Sequence, residues 1–183
     1  MTTQLTPTKR LAFTAAVALL VGSQLIWDHF HGGVPVHYML HNPDLPAISN
    51  WWSLLIIPVL TWIALLLVDR RINKLSENNR PIALKKALQL FVFALIYGFI
   101  VGLFFTLDIT VVSDTGTIIV FALSFLIPLY RIEYLLGFVL GLTYFIGGTL
   151  PTFFGLILMG IYFITFKVGQ FIINQFKSKQ TTQ

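Results

Sequence analysis

Apolar residues in this chain fall into six long runs, at residues 11–27, 51–68, 87–107, 116–130, 132–147 and 150–173, separated by short polar segments. Within each run the apolar positions are continuous. Strands of a membrane barrel alternate lipid-facing and lumen-facing residues, so continuous runs of this length predict helices. In lipid a helix also satisfies its backbone amides within its own segment. At about 1.5 Å per residue, the first run covers most of a hydrocarbon layer roughly 30 Å thick. The fourth is short for a crossing and begins at Gly116 or as early as Val111. The expected architecture is all-α: a polytopic integral membrane bundle of six transmembrane helices, forming a single domain over residues 1–183.

Composition supports this reading. Hydrophobic residues make up 56% of the chain and charged residues 10%, against about 25% charged in soluble domains. Too little polar surface is left to cover a water-facing exterior. The 17 Phe and 4 Trp suit lipid-facing and interfacial positions. There are no cysteines, which excludes disulfides and thiolate metal sites. Lys9 and Arg10 before the first run imitate a signal peptide, but no small-residue cleavage site follows Leu25-Ile26-Trp27, and the segment reads as a retained first span.

Charge placement orients the spans. Six crossings put the N-terminus, the second and fourth loops and the C-terminus on one side. All 12 Lys and Arg residues fall on that side or in the adjoining helix ends. Asp69, Glu77 and Glu133 lie with them, and Asp28, Asp44, Asp108 and Asp114 lie opposite. By the positive-inside rule the basic side is cytoplasmic, with both termini inside and the protein in the plasma membrane. The pI near 9.6 then reports topology and attraction to anionic lipid; a nucleic-acid partner is excluded.

Several polar and small residues within the spans predict packing. Gly98-x-x-x-Gly102 and Gly137-x-x-x-Gly141 allow close helix approach, either within the chain or across a homo-oligomer interface. Ser23, Gln24, Gln89, Thr143 and Thr165 read as inter-helix hydrogen-bonding groups. Gly147-Gly148 with Pro151 predicts a tight hairpin between the last two spans. Arg131 and Glu133 are expected to reach the headgroup zone from a short turn.

The first outer loop holds the candidate chemistry. It contains every histidine of the chain, His29, His31, His37 and His41, bracketed by Asp28 and Asp44, with no Lys or Arg nearby. After Gly32-Gly33, Pro35 suits the first position of a short helix or re-entrant segment running to His41. Such a helix would put His37 and His41 on one face, four residues apart. Asp28 and His31, at the end of the first span, would supply a carboxylate and a third imidazole. Asp28, His31, His37 and His41 form the expected metal site, with Zn²⁺ the best match and Cu²⁺ or Fe²⁺ alternatives. An open coordination position would activate water, and Asp28 would serve as fourth ligand or general base. Apolar residues between the histidines place the loop against the outer leaflet, so the substrate would be a lipid or membrane-soluble molecule.

The alternatives are a sensor, a structural loop, a carrier and a scaffold. The histidines can titrate as a pH sensor, or can simply bond headgroups and backbone. A small ion or solute carrier needs ionisable groups at mid-membrane, and none is evident in the runs. A scaffold or assembly subunit would use the glycine faces alone.

Overall fold

The computed structural model describes residues 5–38 and 47–180, excepting the side chains of residues 37, 38, 110–114 and 176–180. Six α-helices follow one another: α1 (Pro7–Phe30), α2 (Ser53–Asn73), α3 (Arg80–Thr106), α4 (Thr110–Leu123), α5 (Ile132–Ile146) and α6 (Thr149–Gln180). A two-stranded antiparallel pair, β1 (Val36–Tyr38) and β2 (Ala47–Ser49), lies between α1 and α2.

Four helical stretches are long and apolar enough to cross a membrane, those containing α1, α2, α3 and α6. The other two helices are shorter. At about 1.5 Å per residue, the 15-residue α5 reaches only about 22 Å. Many large apolar side chains are open on the outside of the bundle, including Leu19, Leu20, Phe93, Ile118, Ile157 and Ile164. A continuous apolar exterior of this kind fits a bundle embedded in lipid. Trp27, Trp51 and Trp52 are exposed around the α1–α2 connection, where amphipathic rings suit a membrane interface.

The fourth apolar run departs from expectation. Its helix occupies residues 110–123, and residues 124–131 are unwound. Pro128 lacks the amide hydrogen needed to continue a helix. The unwound segment is held by α6 instead: Ser124 Oγ lies 2.7 Å from Thr165 Oγ1, and the Phe125 carbonyl packs on Gly169.

α5 is the centre of the bundle. Leu135, Leu136, Gly137, Val139, Gly141 and Leu142 are all buried. Its main neighbour is α3, which makes the most extensive helix–helix contact among the described residues. The two glycine pairs face each other across this contact. A methyl group on Gly98 would strike the Phe138 carbonyl, and one on Gly141 the Leu95 carbonyl. Gly137 sits in the same way against the Phe91 carbonyl, and Gly102 against the Phe145 ring. The order of these contacts makes α3 and α5 parallel. The close approach that the glycines permit is therefore made within the chain.

α1 and α2 pack antiparallel against one side of this pair. Val17, Val21 and Leu25, one helical turn apart, join Ile57, Leu60 and Ala64 against Val139. At one end, Arg10 approaches Asp69 at 3.7 Å and lies over the Trp62 ring. There Arg71 also grips Glu133 with two bonds of 3.2 and 2.8 Å. Glu133 was expected at the headgroups. It is instead 3% exposed, because the start of α5 is drawn into the bundle beside the end of α2. We call this the basic end.

At the opposite end, the two-residue hairpin between α5 and α6 is locked by polar side chains. Ser53 Oγ donates to Asn50 Oδ1 at 2.6 Å, accepts from the Gly148 amide at 3.0 Å, and lies 2.9 Å from Thr149 Oγ1. Gln24 Nε2 donates to the Thr143 and Tyr144 carbonyls. Asn50 also packs against Gly147, whose φ of 79° is strained for any residue with a β-carbon. Ser53→Ala should cost about 2 kcal/mol, because it strands buried partners. Among the described residues Ser23 bonds only the Leu20 carbonyl of its own helix, so Ser23→Ala should change stability by less than about 0.5 kcal/mol. Thermal unfolding in detergent compares the two.

Candidate functional site

The histidine-bearing end is built on the last turn of α1. The helix runs beyond Trp27 to Phe30, and the Asp28 carbonyl accepts from the His31 and Gly33 amides at 3.1 and 2.9 Å. Gly32 and Gly33 then take φ values of 116° and 94°, a turn that residues with a β-carbon resist. Beyond the turn the chain is extended. Val36 pairs with Ser49, His37 with Ile48 and Tyr38 with Ala47, and the Asn50 amide donates to the Pro35 carbonyl at 3.1 Å.

The expected helix from Pro35 is therefore replaced by a strand. Val36 and Tyr38 favour extended backbone, and pairing with β2 satisfies the amides that a short helix would have satisfied internally. His41 and Asp44 lie outside the described residues, as does the side chain of His37.

The two nearby imidazoles diverge. His31 stacks on Trp27 with ring centres 3.8 Å apart, and its Nδ1 lies 2.9 Å from the Trp27 carbonyl. A carbonyl only accepts, so Nδ1 carries a proton in this contact. His29 turns instead toward Phe30 and Trp51, at centroid distances of 5.2 and 6.1 Å. Among the described residues, no three His, Asp, Glu or Cys side chains converge as metal ligands would. Asp28, in the last turn of α1, and His31, just after it, are neighbours, but nothing described draws a third ligand to them. Asp108 sits in the α3–α4 turn with φ of 55°, a conformation that aspartate tolerates better than most residues.

A different site lies among α3, α4, α5 and α6. A cavity of about 260 Å³ opens between these helices. Its wall is almost wholly apolar, and it carries the side chains of Tyr97, Tyr134 and Tyr162, one each from α3, α5 and α6. Phe138 stacks on Tyr97 at 5.9 Å and fixes one side. Gly116 of α4 comes close to the Tyr97 hydroxyl, where a β-carbon would stand 2.9 Å away. Gly155 of α6 packs on Leu135, bringing α6 against α5 behind the cavity. Thr117, Val120 and Leu158 complete the part of the wall nearest α4 and α6.

Sequence reasoning passed over this site. Its tyrosines are far apart in the chain, and each sits alone in an apolar run. The available signal was a phenol recurring in three different spans, where a phenylalanine would have filled the same space without a polar tip. Of the polar residues expected to bond between helices, Gln24 bonds α5 and Thr165 bonds the unwound segment after α4, whereas Ser23 and Thr143 bond carbonyls of their own helices.

Compared with known proteins, the chain matches no family model, no curated protein and no solved structure.

Proposed function

We propose that this integral membrane protein binds a lipid or other membrane-soluble molecule in the cavity between α3, α4, α5 and α6, with the basic end facing the cytoplasm. The observation that carries the proposal is the cavity itself: about 260 Å³, apolar, and bearing three phenols. Membrane ligand sites of this kind combine apolar walls with a few polar groups that orient the ligand. A tyrosine hydroxyl both donates and accepts. The matching ligand is therefore hydrophobic, with one or two oxygen functions, such as a carbonyl or hydroxyl. The cytoplasmic orientation rests on the one-sided placement of the Lys and Arg residues. The histidine-bearing end is not required for binding.

The test is the lipid extract of the purified protein, analysed by mass spectrometry. Wild type should retain one class of apolar molecule well above its level in the surrounding membrane. Val120→Trp should fill the cavity and release that molecule at unchanged thermal stability. Tyr97→Phe, Tyr134→Phe and Tyr162→Phe keep the shape but remove the hydroxyls, and at least one should lower retention about tenfold. An extract identical for wild type and Val120→Trp would overturn the proposal.

A further inference from the structure

A second cavity, of about 290 Å³, lies on the other side of the α3–α5 pair, at the basic end. Its walls come from four helices. Lys9 and Phe13 of α1, with Leu5 just before it, fall four residues apart and form one bank. Leu84 and Leu88 of α3 face them, and Leu136 of α5 lies among the lining residues. From Leu84 to Phe91 the groove follows α3 for about 10 Å, which is seven residues of helix. It closes where Phe13 meets Phe91 edge to face at 6.3 Å.

Two charged side chains line this otherwise apolar groove, Lys9 and Glu133. Glu133 is already held by Arg71, and Asp69 by Arg10. No carboxylate among the described residues pairs with Lys9. Lys85 and Lys86 follow Leu84 directly in the sequence, adding positive charge at the same end of α3. The groove thus joins an apolar channel, running toward mid-membrane, to an ammonium group with no paired carboxylate among the described residues.

We propose that this groove holds one anionic phospholipid, with an acyl chain between α1 and α3 and its phosphate at Lys9. A zwitterionic lipid brings its own cation and would gain less from the lysine. A free phosphate would leave the apolar channel unfilled. The site is separate from the tyrosine cavity, so either can fail without the other.

Native mass spectrometry from detergent tests it, with phosphatidylglycerol and phosphatidylcholine of identical acyl chains as probes. Wild type should retain one phosphatidylglycerol per chain in preference to phosphatidylcholine. Lys9→Ala should weaken phosphatidylglycerol binding about fivefold, the effect of one lysine near a membrane surface, and Lys9→Glu should abolish the preference. Leu65→Trp, which blocks the channel, should reduce retention of both lipids. Lys74→Glu makes the same charge change at the basic end, outside the groove, and should leave the preference intact. Because Lys9 and Lys74 are both exposed, neither change should alter the unfolding temperature, which is measured alongside. Equal binding of the two lipids by wild type, or equal losses in Lys9→Glu and Lys74→Glu, would overturn the proposal.

Discussion

Replacing Gly141 with alanine is expected to destabilise the protein by about 3 kcal/mol, although it adds only one methyl group. The methyl would meet the Leu95 carbonyl, the Phe99 amide nitrogen at 2.7 Å and the Gly98 carbonyl carbon at 3.0 Å. All three are backbone atoms in the middle of α3, so no side chain can rotate away. The helices must separate along the contact, and the reciprocal approach of Gly98 to Phe138 is lost with it. For a chain of this size the loss corresponds to roughly 6–12 °C in unfolding temperature. Gly160→Ala is the internal control. Nothing lies within 4 Å of a β-carbon at Gly160, so alanine there should gain about 0.5–1 kcal/mol from helix propensity alone. Unfolding of both variants in one detergent separates packing from propensity. Equal shifts would refute the assigned α3–α5 contact.

The second large effect is an asymmetry between the two halves of the Arg71–Glu133 pair. Glu133 is 3% exposed and Arg71 39%. Arg71→Ala leaves a carboxylate enclosed without its counter-ion, which should cost about 3 kcal/mol or more. Glu133→Ala leaves a guanidinium on a long stem that already reaches the edge of the bundle. It can extend to water or headgroups, and the cost should fall to about 1 kcal/mol. Arg71→Lys should lie between, since an ammonium cannot reproduce the paired bonds to both carboxylate oxygens. A double-mutant cycle at neutral pH measures the coupling. The ranking sinks if Glu133→Ala proves the more damaging.

What the sequence made legible follows from the range of each interaction. The helices were readable because apolar continuity is local and lipid permits few other structures. The glycine pairs were readable as close contacts, but spacing alone cannot name the facing helix. Gly98 and Gly141 had to be brought together by the return of the chain through α4. The unwinding after Leu123 was hidden, because residues 124–130 are as apolar as the helix before them. Pro128 and the Ser124–Thr165 contact decide it, and the latter depends on α6. Pro35 favoured a helix start locally, whereas β2 and Asn50, more than ten residues away, draw the segment into a strand. Glu133 beside Arg131 suggested a surface turn, and only the end of α2 explains its burial. The tyrosine cavity combines four helices, so no window of sequence contains it.

The parallel packing of α3 and α5 has a consequence for synthesis. Neighbouring antiparallel helices can pair as soon as the second emerges, but parallel ones must wait for an intervening segment to return. When α4 has just been made, the glycine furrow of α3 has no partner, and lipid must occupy it. The tightest interface of the protein can form only after residue 141 has been added. Early helices then enter the membrane before the helix that organises them exists. Chains truncated before α5 should be poor at reaching a protease-resistant state, whereas those ending after it should already possess the central contact.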